Sequence, residues 1–175
     1  MGASQAPEEL FDISHEDGVE VPLTDDEIRR TVAFVLAEEG VSRPCLVSVS
    51  LVGDGRIHEL NREWRGVDRA TDVISLECER PDDPDLADGE PCELGDIALA
   101  PAYIERQAAG FGTSPADEFT LLLVHGTLHL LGYDHVEDAD AEVMEAREDE
   151  LVSALLGGAG LGHVTTTRHR GAEGA

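Results

Sequence analysis

The stretch SPADEFTLLLVHGTLHLLGYDH, residues 114–135, decides the fold because it predicts a buried helix that ends in a cluster of histidines. Ser114 followed by Pro115 is a typical helix start, and the acids at 117 and 118 suit the positive end of the helix dipole. The run from Phe119 to Leu131 is almost entirely apolar, so this helix should lie at the centre of the protein. Gly132 can then take the left-handed conformation that ends a helix.

The segments around this helix predict a single α+β domain. Its predicted order is βαβαββααα, which gives a small mixed four-stranded sheet packed with about five helices. The strands are predicted within residues 11–23, at 45–52, at 72–77 and at 94–100, and the helices near 25–40, 54–65, 101–110, 115–131 and 138–156. The helix over 115–131 would be a zincin-like metal helix, because it carries His125 and His129 four residues apart.

Several local signals fix where these elements begin. Strand-like alternation surrounds Val19 and Val21, and the sequence TDDE (Thr24 to Glu27) is typical of a capping box at a helix start. Asp54 is a candidate cap for the next helix, in which Ile57, Leu60 and Trp64 share one face.

Both ends of the chain are predicted to be flexible tails, residues 1–10 and 157–175, around a domain over residues 11–156. His163 and His169 fall in the second tail and are therefore not expected to bind a metal. Residues 77–93 are rich in Pro, Gly and Asp and carry eight acids, which predicts a solvated loop.

Composition narrows the classes of function. The chain has 175 residues, of which 41% are hydrophobic, and 38 acids against 12 basic residues give it a net charge of −26. The basic residues are all arginine. Such a chain should be repelled by free nucleic acid, so neither DNA nor a membrane is expected as a partner. No membrane span or signal peptide is predicted.

The cysteines indicate a reducing environment. Cys45, Cys78 and Cys92 are odd in number and form no CxxC pair, which argues against a disulfide framework and favours a cytoplasmic location. A zinc pair made by Cys78 and Cys92 is a weaker possibility, because their spacing is loose.

Three histidines in HGTLHLLGYDH, residues 125–135, have the spacing of a metal site. His125 and His129 are four residues apart, so they project from one face of the helix, and the turn at Gly132 lets His135 return toward them. Three imidazoles can occupy three corners of a tetrahedron around zinc and leave the fourth for water. The alternative is three structural histidines, each of which would need its own buried partner.

The same spacing occurs in the metzincin proteases, with one difference. A metzincin carries a glutamate directly after the first histidine as its general base, and this chain has Gly126 there. Met144 stands where a Met-turn would be sought, although it is better interpreted as a core residue of the last helix. The ligand spacing is therefore that of a protease whose base is missing.

The histidine motif closely resembles the signature of the YbeY endoribonucleases, which act in bacterial ribosomal RNA maturation and ribosome quality control. The resemblance extends to LNREWRGVDRATDVIS (60–75), LGDIALA (94–100) and EDADAEVMEAREDEL (137–151), and so covers roughly residues 46–155. The sequence departs from the family at SLECER (75–80), where Ser-Phe-Pro is usual.

The resemblance implies one zinc per chain held by His125, His129 and His135, and a functional arginine at Arg65. It also implies single-strand-specific cleavage near the 3′ end of small-subunit ribosomal RNA, with that RNA and the small ribosomal subunit or its proteins as partners. A forked guanidinium suits the charge that develops on a phosphate during cleavage. The alternative is a surface Arg65 paired with Asp68 or Asp72.

Two other functions remain open at this point. One is a zinc metallopeptidase or other zinc hydrolase, which the lack of a base at Gly126 opposes. The other is a ribosome-associated binding protein with structural zinc, which the lack of a nearby fourth ligand opposes. Arg56, Arg62, Arg65 and Arg69 could form a basic surface near the site, and Asp134 could either orient a histidine or shape the turn.

Overall fold

In the computed structural model, which describes residues 10–157, the chain folds into one sheet covered by helices. The strands are β1 (Phe11–His15), β2 (Cys45–Leu51), β3 (Val73–Glu77) and β4 (Cys92–Leu99). The helices are α1 (Asp25–Glu38), α2 (Asp54–Arg65), α3 (Pro101–Phe111), α4 (Pro115–Leu130) and α5 (Asp138–Leu155). This confirms the predicted α+β class and the predicted order of elements. The predicted tails, residues 1–10 and 157–175, lie outside the described part except for residues 10 and 157, and His163 and His169 lie outside it as well.

The sheet is mixed, with the order β1-β2-β4-β3. β1 pairs in parallel with β2, and β2 in parallel with β4, so that Val49 lies between Ile13 and Ile97. β3 pairs antiparallel with β4 and forms an edge of the sheet. Because α4 packs over β3 and β4, the metal motif lies beside this edge.

Helix α4 is the centre of the core, as its apolar sequence predicts. Its side chains from Phe119 to Leu128 are all buried. One side of the helix packs on the sheet through residues such as Leu122 and Leu123, and another packs on α5 through Val124 and Leu128. A helix covered on both sides can hold its polar side chains in fixed positions, since its neighbours restrict every rotamer.

Two helix starts agree with the sequence. At α1, the Thr24 side chain accepts from the Glu27 amide while the Glu27 carboxylate accepts from the Thr24 amide, which is a complete capping box. At α4, the Ser114 side chain accepts from the Asp117 amide. Within residues 10–157, no helix is both long and apolar enough to cross a membrane.

The first strand was predicted too late in the sequence. It is Phe11–His15, whereas Val19 and Val21 lie in the irregular connection to α1 that turns at Gly18, with φ +80°. Phe11 is 4% exposed and aligns with Val47 of β2. The position of this strand is therefore determined by pairing with β2, and the local alternation of residues does not predict it.

Asp54 was wrongly predicted as a cap. Gly53 is the N-cap of α2 and gives no side-chain bond, while the Asp54 carboxylate pairs with Arg106 on α3. Trp64 is also 37% exposed, so it only partly shares the buried face of Ile57 and Leu60. Helix α2 thus ends with an exposed indole and two exposed arginines, Arg62 and Arg65.

Candidate metal centre

The three histidines of the motif meet at one point. One ligand nitrogen from each of His125, His129 and His135 lies within 4.8 Å of the others. Their ring centroids are 4.5 to 5.5 Å apart. His125 and His129 come from successive turns of α4, and His135 returns after the helix ends. The cluster is a set of ligands that could hold one metal ion.

The turn after α4 brings His135 back. Gly132 has φ +106°, a conformation that side chains rarely adopt, and a Cβ atom there would also collide with the Arg80 guanidinium. The Asp134 carboxylate accepts from the amides of His135 and Val136, at 2.6 and 3.0 Å. Of the two roles considered for Asp134, the structure therefore supports shaping of the turn.

A polar network fastens the same turn to two other helices. The Tyr133 hydroxyl donates to one oxygen of Glu39 at 2.9 Å, and the Arg147 guanidinium donates to the other at 2.6 Å. Arg147 also donates to the Glu38 carbonyl at 2.9 Å. Partial burial, and then the bond to Glu39, raise the pKa of Tyr133, so its hydroxyl stays protonated as a donor. The turn between the second and third histidines is thus anchored to α1 and α5.

His125 has a buried carboxylate partner that sequence reasoning missed. Its Nδ1 lies 2.6 Å from an oxygen of Glu148 on α5, and the two residues are 8% and 2% exposed. A signal for it exists in the sequence, because Glu148 interrupts the buried stripe of α5 between Met144 and Leu151. An acid on an apolar helix face needs a polar partner, and His125 of the motif is that partner.

The other two imidazoles are held neutral. Burial, followed by the neighbouring His125 and His135, lowers the pKa of His129 to about 3. Burial also lowers the pKa of His135. A metal binds the neutral imidazole, so these histidines keep their lone pairs available at ordinary pH. Neutral imidazole nitrogens are donors that suit zinc.

Arg65 faces the same space as the histidines. A cavity of about 250 Å³ is lined by Arg65, Val73, Ile74, Ser75, Glu77, His125, His129, Asp134 and His135. Among residues 10–157, no hydrogen bond or ion pair involves the Arg65 side chain. Asp68 instead pairs with His58, and Asp72 accepts from Gln107, so neither predicted partner holds the arginine.

The basic surface suggested by four arginines is only partly realised. Arg56 pairs with Glu59 at 3.0 Å, and Arg69 has an interaction of its own. Arg62 and Arg65 are exposed in the last turn of α2, and neither has an ion pair with another residue of the described chain. The Glu77 carboxylate, which lines the cavity, lies 2.5 Å from the Arg80 guanidinium. Arg65 is therefore the cation that the cavity can offer to a ligand.

Gly126 has a packing role that explains the missing protease base. A Cβ atom at this position would lie 3.1 Å from Ile97, 3.2 Å from the Ser75 hydroxyl and 3.4 Å from Val73. The Ser75 hydroxyl donates to the Gly126 carbonyl at 3.1 Å. Helix α4 thus touches the sheet at this residue, and a larger side chain there would require its neighbours on β3 and β4 to shift.

The cysteines take no part in the cluster. Cys78 is exposed and Cys92 is fully buried. Burial, ahead of the neighbouring Cys45 and Glu79, raises the pKa of Cys92 to about 12. A thiol that stays protonated is a poor metal ligand, so the structure gives no support to a Cys78–Cys92 zinc pair.

A larger cavity, of about 590 Å³, lies between the end of α1 and the acidic loop and contains none of the three histidines. Arg43 fixes its wall by donating to the carbonyls of Pro81, Ala87 and Glu90 at 2.6 to 3.0 Å. The guanidinium is thus used to order the loop that carries the acids.

Comparison with known proteins identifies one family that the chain resembles. Residues 12–156 match the family model described as Endoribonuclease YbeY. A protein of that name from Desulfitobacterium hafniense is 52% identical over 111 residues, which are 62% of this chain and 71% of the relative. Another from Micrococcus luteus is 43% identical over 150 residues, covering 83% of this chain and 92% of the relative.

A solved structure resembles the fold as well. The solution structure of TM1509 from Thermotoga maritima superposes with a TM-score of 0.55 at 27% identity, and the match covers 84% of this chain and 89% of the other. The family model spans most of the described residues and includes all three histidines and Arg65. The chain belongs to the Endoribonuclease YbeY family.

Proposed function

We propose that this protein is a zinc-dependent endoribonuclease that cuts single-stranded RNA, and that it acts on the 3′ end of small-subunit ribosomal RNA during maturation and quality control of ribosomes. The observation that carries the proposal is the cavity in which three histidine ligands face an arginine without a carboxylate partner. A cation left unpaired in a chain of charge −26 is suited to an anionic substrate.

The residues divide the work between metal and substrate. His125, His129 and His135 would hold the ion, with one zinc per chain. Bound zinc supplies Lewis acidity and lowers the pKa of a coordinated water to roughly 7. Arg65 can donate two parallel hydrogen bonds to the phosphate whose charge increases during cleavage.

The surroundings of the site favour RNA over peptide substrates. Gly126 carries no base, and the space beside it is filled by the sheet. The other carboxylates lining the cavity have partners, since Glu77 pairs with Arg80 and Asp134 accepts from two amides. A cavity of about 250 Å³ is small compared with a double helix, which supports a single-stranded substrate.

Delivery by the ribosome would overcome the charge of the protein. The segment 77–93 carries eight acids, so a basic protein of the small subunit is a suitable docking partner. We place this activity in the cytoplasm, which the three free cysteines support.

The test compares two substrates with a single preparation. Zinc-loaded protein should cleave an unstructured RNA, lose that activity to a chelator and regain it with added zinc. It should leave an unfolded protein substrate intact, because peptide hydrolysis lacks its usual proton acceptor. Zinc-dependent cleavage of the protein without cleavage of RNA would establish the peptidase instead.

A further inference from the structure

Glu148 contacts His125 of the metal site but is not itself one of the three metal ligands. We infer that Glu148 is a positioning residue, whose carboxylate accepts the Nδ1 proton of His125 and directs Nε2 of that ring toward the metal. The inference rests on the metal centre of the proposed function and not on its RNA substrate. It assigns a role to α5, which contributes none of the three ligands.

The short contact requires a proton between the two groups. A nitrogen and a carboxylate oxygen 2.6 Å apart would repel if neither carried hydrogen, so the pair shares one. If Glu148 held it, His125 would carry its own proton on Nε2 and could not bind a metal there. Metal binding therefore selects the tautomer with hydrogen on Nδ1, which an ionised Glu148 stabilises.

The packing of α5 against α4 holds the Glu148 carboxylate in place, and this carboxylate in turn orients the ring of His125. Glu148 lies in the interface where Met144, Leu151 and Val152 of α5 meet Val124 and Leu128 of α4. An ionised group in apolar surroundings is costly unless it is paired. The cost is offset by the bond to His125, so the acid and the metal-binding ring depend on each other.

The experiment measures zinc affinity by competition with a chromogenic chelator, in the full chain. Glu148→Gln keeps the size of the side chain and removes its charge, and should weaken zinc binding about 10- to 100-fold. Glu142→Gln removes the same charge from an exposed position of the same helix and should change affinity less than about twofold. The absorption spectrum of the cobalt-substituted protein should shift with the first variant and stay constant with the second.

A second variant separates positioning from stability. Glu148→Met fills the apolar interface with a side chain of similar size, and thermal unfolding of the metal-free variant measures the cost of leaving Nδ1 of His125 without its acceptor. Its zinc affinity should still fall at least tenfold, because the ring loses its orienting partner. Unchanged zinc affinity in either folded variant would refute the inference. Weaker zinc binding would support it even if the wild-type protein cut no RNA.

Discussion

The two walls of the metal cavity are built in opposite ways. On the wall formed by α4 and its following turn, His125 is buried against Glu148 of α5, and Tyr133 is held by Glu39. On the wall formed by α2 and β3, Arg65 is exposed and forms no ion pair with residues 10–157. The first wall is tied to neighbouring helices by hydrogen bonds, whereas the second presents a charge without a partner.

Under the proposed function, this difference follows from what each wall would bind. A metal site needs fixed ligands, because affinity depends on geometry that is present before the ion arrives. A substrate site needs groups that satisfy their bonding only when the substrate is there, because interactions realised in the transition state accelerate the reaction. Substitutions in the two walls should therefore fail in different ways.

The largest effect is expected on the first wall. His129→Ala should lose most of its zinc and with it the cleavage of RNA, because two imidazoles rarely hold zinc well. Elemental analysis of the purified variant measures this loss directly. His58→Ala is the control, since His58 pairs with Asp68 outside the cluster. A full complement of zinc in His129→Ala would eliminate the three-histidine site.

The second wall should lose activity without losing metal. Arg65→Ala should retain its zinc and its fold but cut RNA roughly 10²-fold more slowly, the usual cost of removing one transition-state donor. Arg65→Lys should recover little, because an ammonium cannot form the same fork.

Arg56→Ala serves as the matched control, because that arginine is on the same helix but already pairs with Glu59. Single-turnover cleavage rates, measured beside zinc content, separate the variants. A normal cleavage rate in Arg65→Ala would show that Arg65 is an ordinary surface residue and would refute the role of the second wall in RNA cleavage.

A smaller effect is expected from the network behind the turn. Glu39→Ala removes the acceptor of Tyr133 and the partner of Arg147, and should lower the free energy of unfolding by about 1 to 3 kcal/mol. Glu38→Ala, with an exposed side chain next to it, should change stability by less than about 0.5 kcal/mol. Urea titration of both metal-free variants gives the comparison, and equal midpoints would show that the network does not anchor the turn.

The smallest effect concerns salt. A protein with this charge and few unpaired arginines should bind naked RNA weakly, with a salt dependence of only about one to three phosphate contacts. Binding to small ribosomal subunits should be tighter. A variant without cleavage activity, titrated against both across a salt series, tests this, and a steep slope with naked RNA would reveal a basic surface elsewhere on the chain.

Local signals in the sequence predicted the first wall well. The apolar run of α4, the cap at Ser114 and the histidine spacing depend on neighbours along the chain, and each is found in the structure. Glu148 is 23 residues from His125, and only the packing of α5 reveals their contact. The position of the first strand was predicted wrongly for the same reason, because Phe11 joins the sheet through its distant partner Val47. Within the described residues, that Arg65 has no partner also depends on the folded chain, so the sequence alone could not predict it.

The most direct test of the account adds zinc stepwise to metal-free protein and follows RNA cleavage and bound metal together. Cleavage should rise in proportion to zinc and stop rising at one ion per chain, while Arg65→Ala should bind the same single ion and remain about 10²-fold slower throughout. Full cleavage by the metal-free protein, or cleavage that fails to follow zinc binding, would contradict a nuclease built on His125, His129 and His135.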